Sequence, residues 1–338
     1  MKILVTGGAG FIGSNFIHYW MEKYPKDQIV NVDKLTYAGN LENLKNLDKN
    51  ERYKFYKIDI ADFDAINSVI KEERPKVIVN FAAETHVDRS ILGPDEFVKT
   101  NIEGTHNLLK SARENGNIRF HHVSTDEVYG SLGKKDAAFN EKTPYDPRSP
   151  YSASKAASDH LAMAYFHTFN LPVTISNCSN NYGPYQFPEK LIPFFIANLT
   201  DKKKVPLYGD GMNIRDWLYV KDHCRAIDLI LKKGKPGETY CIGGATEKTN
   251  REITYKILDL MGCGEEMIEF VEDRKGHDRR YAINFNKIKS ELGWEPEINF
   301  EEGIKKTIDW YKNNEQWWRN VMTGDYQKYY KENYLKRS

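Results

Sequence analysis

The sequence predicts an α/β protein: a doubly wound parallel sheet followed by a smaller, irregular C-terminal lobe. Three observations carry this. Short apolar, β-branched runs alternate with amphipathic, helix-length stretches through the first half. A glycine-rich loop joins the first of these runs to the first helical stretch, and an acid, Asp33, closes the second run.

The expected strands, in order, are Lys2–Thr6, Gln28–Val32, Tyr53–Ile58, Val77–Phe81, Arg119–Ser124 and Pro172–Asn177, with helices between them at about 12–23, 62–73, 95–115 and 151–169. Strand–helix–strand repetition predicts strands buried on both faces and right-handed crossovers. After Cys178 the rhythm breaks. Asn180-Asn181-Tyr182-Gly183-Pro184 and Pro206-Leu207-Tyr208-Gly209-Asp210-Gly211 read as turn-rich, and helices are expected near 189–200, 222–233 and 252–262 with a short strand near 238–242. The division expected is a dinucleotide-binding domain over 1–178 and a ligand-binding lobe over 179–338, with some segments of the lobe returning to the main sheet. The stretch after Trp317 is aromatic and charged.

Composition narrows the function. The 49 basic and 48 acidic residues nearly cancel, so no global field favours nucleic acid or an anionic membrane. Cys178, Cys224, Cys241 and Cys263 have no paired or C-x-x-C spacing and read as free thiols of a reducing compartment. The start of the chain has no apolar run long enough for a signal peptide, and no stretch approaches the roughly 18 to 20 apolar residues of a membrane span. A cytoplasmic protein is expected. His86, His121 and His122 lack companions at metal-ligand spacing, so no metal is expected.

Gly7, Gly8, Gly10 and Gly13 satisfy both G-x-x-G-x-x-G and G-x-G-x-x-G between a strand and a helix. Glycines permit the tight turn and the close approach of backbone to a pyrophosphate, which the helix N-terminus attracts. Asp33, twenty residues past Gly13, suits ribose hydroxyls and repels a 2′-phosphate. These features make the sheet Rossmann-type and the cofactor NAD, although Lys34 beside Asp33 is a cation that could accommodate that phosphate. Asp59 ends the third strand, where it is either an adenine contact or a turn acid.

Tyr-x-x-x-Lys occurs three times, at Tyr19–Lys23, Tyr53–Lys57 and Tyr151–Lys155, and only the last opens a helix beside the carboxyl edge of the sheet. Spacing of i and i+4 brings a lysine toward a tyrosine, and a neighbouring cation is expected to lower the phenol toward working pH. Thr125-Asp126-Glu127 follows a strand at the same edge. Two adjacent acids push their pKa values apart, so that one serves as acid and the other as base; their alternative is a polar turn or helix cap.

Four runs, Ala82 to Ser90, Ser124 to Gly130, Ser149 to Lys155 and Asn180 to Pro193, together resemble the extended short-chain dehydrogenase/reductase superfamily and, within it, the nucleotide-sugar 4,6-dehydratases. Ile214 to Trp217 and Gly276 to Arg280 add to the likeness. The resemblance implies a redox-neutral conversion of dTDP-glucose to its 4-keto-6-deoxy sugar, as in deoxysugar (dTDP-rhamnose) biosynthesis. Tyr151, with Lys155 and Thr125, would take the O4 proton as hydride leaves C4; Glu127 would take the C5 proton; Asp126 would protonate the departing C6 hydroxyl. Hydride would then return to C6, with Asp126 or water supplying the C5 proton. It implies an NAD site of Gly7, Gly10, Phe11, Ile12, Gly13, Asp33, Lys34, Thr36, Asp59, Ile60, Ala82, Thr100, Tyr151, Lys155 and Asn181. For the sugar nucleotide it implies Thr85, Asn180, Lys190, Leu191, Pro206, Tyr208, Arg215, Asn250, Arg274 and His277, and it implies a homodimer joined through a four-helix bundle. A UDP-sugar dehydratase or 4-epimerase is the alternative on the same scaffold, and a non-catalytic NAD-binding regulator the alternative of another class.

Overall fold

The structure, a computed structural model, describes residues 1–273 and 278–322. The main sheet contains β1 (Lys2–Thr6), β2 (Gln28–Asp33), β3 (Tyr53–Lys57), β4 (Val77–Asn80), β5 (Arg119–Thr125), β6 (Val173–Cys178) and, from the second half of the chain, β10 (Thr239–Ile242). Their order is β10-β6-β5-β4-β1-β2-β3 and every pairing is parallel. Strand order reverses between β1 and β4, which opens a crevice at their carboxyl ends, the usual ligand position in such sheets.

Alternation along β1 shows why the sheet is covered on both faces. Ile3 and Val5 pack with Phe16, Ile17 and Trp20 of α1 (Phe11–Lys23) and with Val220, Cys224 and Ile227 of α8 (Val220–Lys233). Leu4 packs on the other face, with Ile66 of α2 (Phe63–Glu73), Leu108 and Leu109 of α5 (Thr105–Glu114) and Ala162 of α6 (Pro150–Phe169). The period of two sends successive side chains to opposite layers.

Local chemistry fixes the helix ends that matter to the site. Ser149 and Ser152 form a reciprocal capping box at the start of α6, with Pro150 in the first turn where its missing N–H costs nothing. The helix expected over 95–115 is α4 (Asp95–Phe97), a widened π-type turn (Val98–Gly104) and α5. That turn has a purpose: Asn101 within it accepts from Glu84 N (2.9 Å) and donates to Glu84 O (3.0 Å) and Ser154 Oγ (2.8 Å), tying a loop at the carboxyl edge to α6. The short α3 (Val87–Leu92) follows this loop.

Two stretches read as turns contain strands. β7 (Asn180–Tyr182) joins β9 (Ile214–Tyr219) and β11 (Glu247–Thr249) in a second sheet, and β8 (Val205–Tyr208) pairs in parallel with β12 (Ile268–Val271). Pro206 is tolerated because β8 is an edge strand of a two-stranded sheet. Around these lie α7 (Leu191–Thr200), α9 (Asn250–Met261), α10 (Asn286–Leu292), α11 (Phe300–Asn313) and α12 (Glu315–Val321). A core rich in aromatic side chains, including Tyr182, Phe194, Trp217, Phe300, Tyr311 and Trp318, holds α7, α9, α11 and α12, whereas Ile288 and Leu292 of α10 pack with Tyr240 and Ile242 of β10. Among the described residues no helix is long and apolar enough to cross a membrane.

Candidate active site

The loop between β1 and α1 is shaped for an anion. Gly7 has φ +67°, and a Cβ there would meet Ala82 N at 2.6 Å; one on Gly13 would meet Gly7 O at 2.4 Å. The first turn of α1 carries no side-chain cap and no acidic residue, so its N–H groups and partial positive charge face the crevice without competition. Asp33 at the end of β2 accepts from Ala9 N (3.0 Å) and Leu35 N (2.8 Å), which fixes its carboxylate and leaves lone pairs for ribose hydroxyls. Lys34 is turned to Asp59 (3.4 Å), Thr100 Oγ1 (3.2 Å) and Glu96 (3.8 Å), so its charge is already balanced by acids. The cradle fits a dinucleotide without a 2′-phosphate.

Every residue expected at the NAD site lines one cavity of about 290 Å³, together with Thr85, Thr125, Asp126 and Glu127. A second cavity of about 200 Å³ is lined by Leu191, Pro206, Tyr208, Arg215 and Asn250. The two share Glu127, Asn180, Asn181 and Lys190 as walls, so a ligand in the second reaches the acids of the first. Arg274 and His277 lie outside the described residues.

Thr125 ends β5, and its carbonyl accepts from Asn177 Nδ2 of β6 (3.1 Å), which fixes where Asp126 and Glu127 begin. Thr125 Oγ1 accepts from Glu127 N (3.2 Å) and donates to Asp126 Oδ1 (3.3 Å). Asp126 is 2 % exposed, and among the described residues its Oδ2 has no hydrogen-bond partner. Burial, then the charges of Glu127 and Asp216, push its carboxyl well above the usual carboxylate range. A carboxyl so placed holds its proton to higher pH than an ordinary carboxylate and can act as a general acid.

Tyr151 and Lys155 start α6 beside it, both buried. Contrary to expectation, the lysine does not lower the phenol. Burial first, then Glu127, pushes Tyr151 well above its ordinary value, and the hydrogen-bonding Thr125 hydroxyl works in the opposite direction. Lys155 Nζ instead donates to Val123 O (2.8 Å) and meets His122 Nε2 at 3.3 Å, and burial lowers it to about 8. Helical spacing sets the two side chains on one face, but the β5 carbonyl captures the ammonium.

The other tyrosine–lysine pairs serve the fold. Lys23 Nζ does meet Tyr19 Oη (2.6 Å), yet both groups bond to the buried Asp228 of α8. Tyr53 accepts from Asn31 Nδ2 (2.9 Å).

Several cavity residues had no signal of their own in the sequence. Gln186 and Glu189 line both cavities, and Tyr281 lines the second, where the Arg215 guanidinium lies 4.3 Å over its ring. Arg215 is held by donating to Ile214 O (2.7 Å) and Asp278 O (2.9 Å). Tyr281 adjoins the Gly276 to Arg280 run, which was the only available clue.

Fold and site together define an NAD-binding Rossmann enzyme of the extended short-chain dehydrogenase/reductase class. The sequence pattern of the family described as GDP-mannose 4,6 dehydratase matches residues 4–307. A dTDP-glucose 4,6-dehydratase of Escherichia coli is 51 % identical, over 96 % of this chain and 98 % of that one. The solved dTDP-glucose 4,6-dehydratase of Bacillus anthracis, in complex with NAD, superposes with a TM-score of 0.89 at 52 % identity, over 95 % of this chain and 99 % of that one. The Streptomyces venezuelae enzyme, also with NAD, gives 0.92 at 48 % identity, over 95 % of this chain and 100 % of that one. The chain belongs to the GDP-mannose 4,6 dehydratase family and, within it, to the dTDP-glucose 4,6-dehydratases.

Proposed function

We propose that the protein converts dTDP-glucose to dTDP-4-keto-6-deoxyglucose and water, a hydro-lyase reaction with no net redox change, in deoxysugar biosynthesis. The observation that carries this is the meeting of Asp126, Glu127 and Tyr151 in the cavity lined by the glycine loop. NAD, held by Gly7, Gly10, Gly13, Asp33 and Asn181, would supply the acceptor and donor for the hydride exchanged with C4 and C6, and a positive charge that favours the Tyr151 phenolate. Tyr151 takes the O4 proton, helped by Thr125, while Lys155 of α6, anchored to Val123 O of β5, orients the cofactor. The new ketone acidifies C5–H, which Glu127 removes. Asp126, kept protonated by burial, gives its proton to the departing C6 hydroxyl. Arg215, Lys190, Tyr208 and Asn250 hold the nucleotide in the second cavity, and Arg274 and His277 belong to the same reading.

The same reading makes the protein a homodimer joined through α5 and α6. Ala153 and Ala164 of α6 and Val98 are exposed beside these helices, which supports a close partner helix. A single protomer mass by light scattering at micromolar concentration would remove this part. A cytoplasmic setting fits four cysteines that are all free thiols.

The test is incubation with dTDP-glucose and no added reductant, followed by mass spectrometry. Loss of one water with no net NADH is the expected result. An unchanged mass with inverted C4 indicates an epimerase, and no turnover of dTDP- or UDP-glucose indicates a binding protein. Asp126→Asn with Glu127→Gln should still oxidise C4, so reduced nicotinamide accumulates while elimination falls by about 10²-fold or more.

A further inference from the structure

Lys155 brings an ammonium to a place that bulk water does not reach, and a buried acid stands behind it. Lys155 and Asp159 are 3 % and 1 % exposed. They lie four residues apart on α6 and therefore on one face of it. His122 of β5 lies against both: its Nε2 is 3.3 Å from Lys155 Nζ and 3.4 Å from Asp159 Oδ1.

Hydrogen-bond directions fix the state of each group. Asn80 Oδ1 accepts from Thr6 Oγ1 (2.6 Å), so its amide N–H is the group presented to His122 Nδ1 (3.2 Å). Burial first, then the Lys155 charge, keeps the imidazole neutral. Nδ1 is then the acceptor and Nε2 carries the hydrogen. Ser158 Oγ takes that hydrogen (3.1 Å), having given its own to Lys155 O (2.8 Å). An ammonium at Lys155 therefore donates nothing to His122. One of its N–H groups goes to Val123 O (2.8 Å) and two are left for the cofactor cavity that Lys155 lines. A neutral amine would turn its lone pair to the ring and keep only one.

Asp159 is built as an anion. Its Oδ2 accepts from Ser124 Oγ (2.9 Å), Tyr145 Oη (2.9 Å) and Asn177 Nδ2 (3.2 Å), which come from β5, the loop before α6 and β6. Among the described residues its Oδ1 has no hydrogen-bond partner. Burial raises this carboxyl, while Lys155 first and then the three donors favour its ionised form. A buried anion is costly unless a cation stands near it. The neighbouring titratable groups carry no such charge. His122 is neutral, burial pushes the Cys178 thiol of β6 up to about 12, and burial also raises the phenols of Tyr129, Tyr145 and Tyr151.

We propose that Asp159 is the positioning residue of Lys155: its carboxylate, clamped by β5, β6 and the loop before α6, balances the buried ammonium and so keeps two N–H groups turned to the cofactor. Burial lowers Lys155 to about 8, and the charge of Asp159 is the first to oppose that fall.

The inference rests on the dehydratase reading, which wild-type turnover of dTDP-glucose tests separately. The background for the test is Asp126→Asn with Glu127→Gln, in which reduced nicotinamide records C4 oxidation and neither cavity acid titrates. Its rate of nicotinamide reduction should fall at high pH as Lys155 loses its proton. Adding Asp159→Asn, close in shape but uncharged, should move that limb lower by about one pH unit or more. Below both limbs the two rates should converge. Adding Asp159→Glu, which keeps the charge, should leave the limb in place, and Asp159→Ala serves if the asparagine variant does not fold. A limb that stays put without the charge, or a loss equal at every pH as a purely structural defect would give, would overturn the assignment even with wild type fully active.

Discussion

The indole N–H of Trp317 donates to Asn43 Oδ1 at 2.8 Å across 274 residues of sequence. Asn43 in turn donates through Nδ2 to Ala9 O (2.9 Å), within the glycine loop itself. The C-terminal helix α12 thereby braces the cofactor cradle from behind. Trp317→Phe keeps most of the packing but leaves a buried amide oxygen unpaired, a loss of about 1–3 kcal/mol. Urea unfolding should show that loss, and NAD titration should show weaker binding. Unchanged NAD affinity would mean that the brace serves stability alone.

Tyr19 offers the opposite expectation. Its phenol donates to Asp228 Oδ2 (2.7 Å), far from the carboxyl edge of the sheet. Tyr19→Phe should cost about 1–2 kcal/mol in unfolding and leave kcat untouched, separating a structural Tyr-x-x-x-Lys from a catalytic one. Activity loss without destabilisation would contradict this.

Elimination should have an alkaline limit set by Asp126. Its carboxyl is raised by burial first, then by Glu127 and Asp216, so the acid form persists above the usual carboxylate range and is lost as pH climbs through that raised value. Asp216 accepts from Gly244 N and Thr246 N, both at 2.9 Å, and is itself raised to about 6 by burial. Asp216→Asn removes one of the charges that hold the proton on Asp126, so the alkaline limb of the kcat profile should move to lower pH. A limb that stays in place would detach Asp216 from the acid.

Asp216 also has a stability signature. Between its unfolded value near 4 and about 6, the folded chain holds a proton that the unfolded chain has released. This group therefore makes stability fall as pH rises through that window, by about 3 kcal/mol at most. Urea unfolding across the window should show a shallower slope in Asp216→Asn than in wild type.

Asp33→Asn should weaken NAD by about tenfold or more, because ribose hydroxyls lose a charged acceptor and Ala9 N or Leu35 N loses its partner. Fluorescence titration with NAD and NADP is the check. Wild type should strongly prefer NAD, since Lys34 is engaged by Asp59 and Glu96.

The sequence by itself determined the strands of the main sheet, the glycine cradle, Asp33 and the motifs proposed to carry the chemistry. These are local patterns: alternation, helical spacing and turn residues act over a few positions, so they are visible in a linear reading. Tertiary structure decided what depends on distant partners. Strands β7 and β8 looked like turns because Asn180, Gly183 and Pro206 favour turns, and only pairing with β9 and β12 makes them strands. Lys155 was expected to act on its helical neighbour, but the Val123 carbonyl, from another element, takes its ammonium. The raised Asp126 carboxyl required burial and the charge of Asp216, ninety residues away in sequence, and the role of Trp317 required Asn43. Periodicity reports which face of an element is buried; which partner meets that face is fixed by the packing of the whole chain.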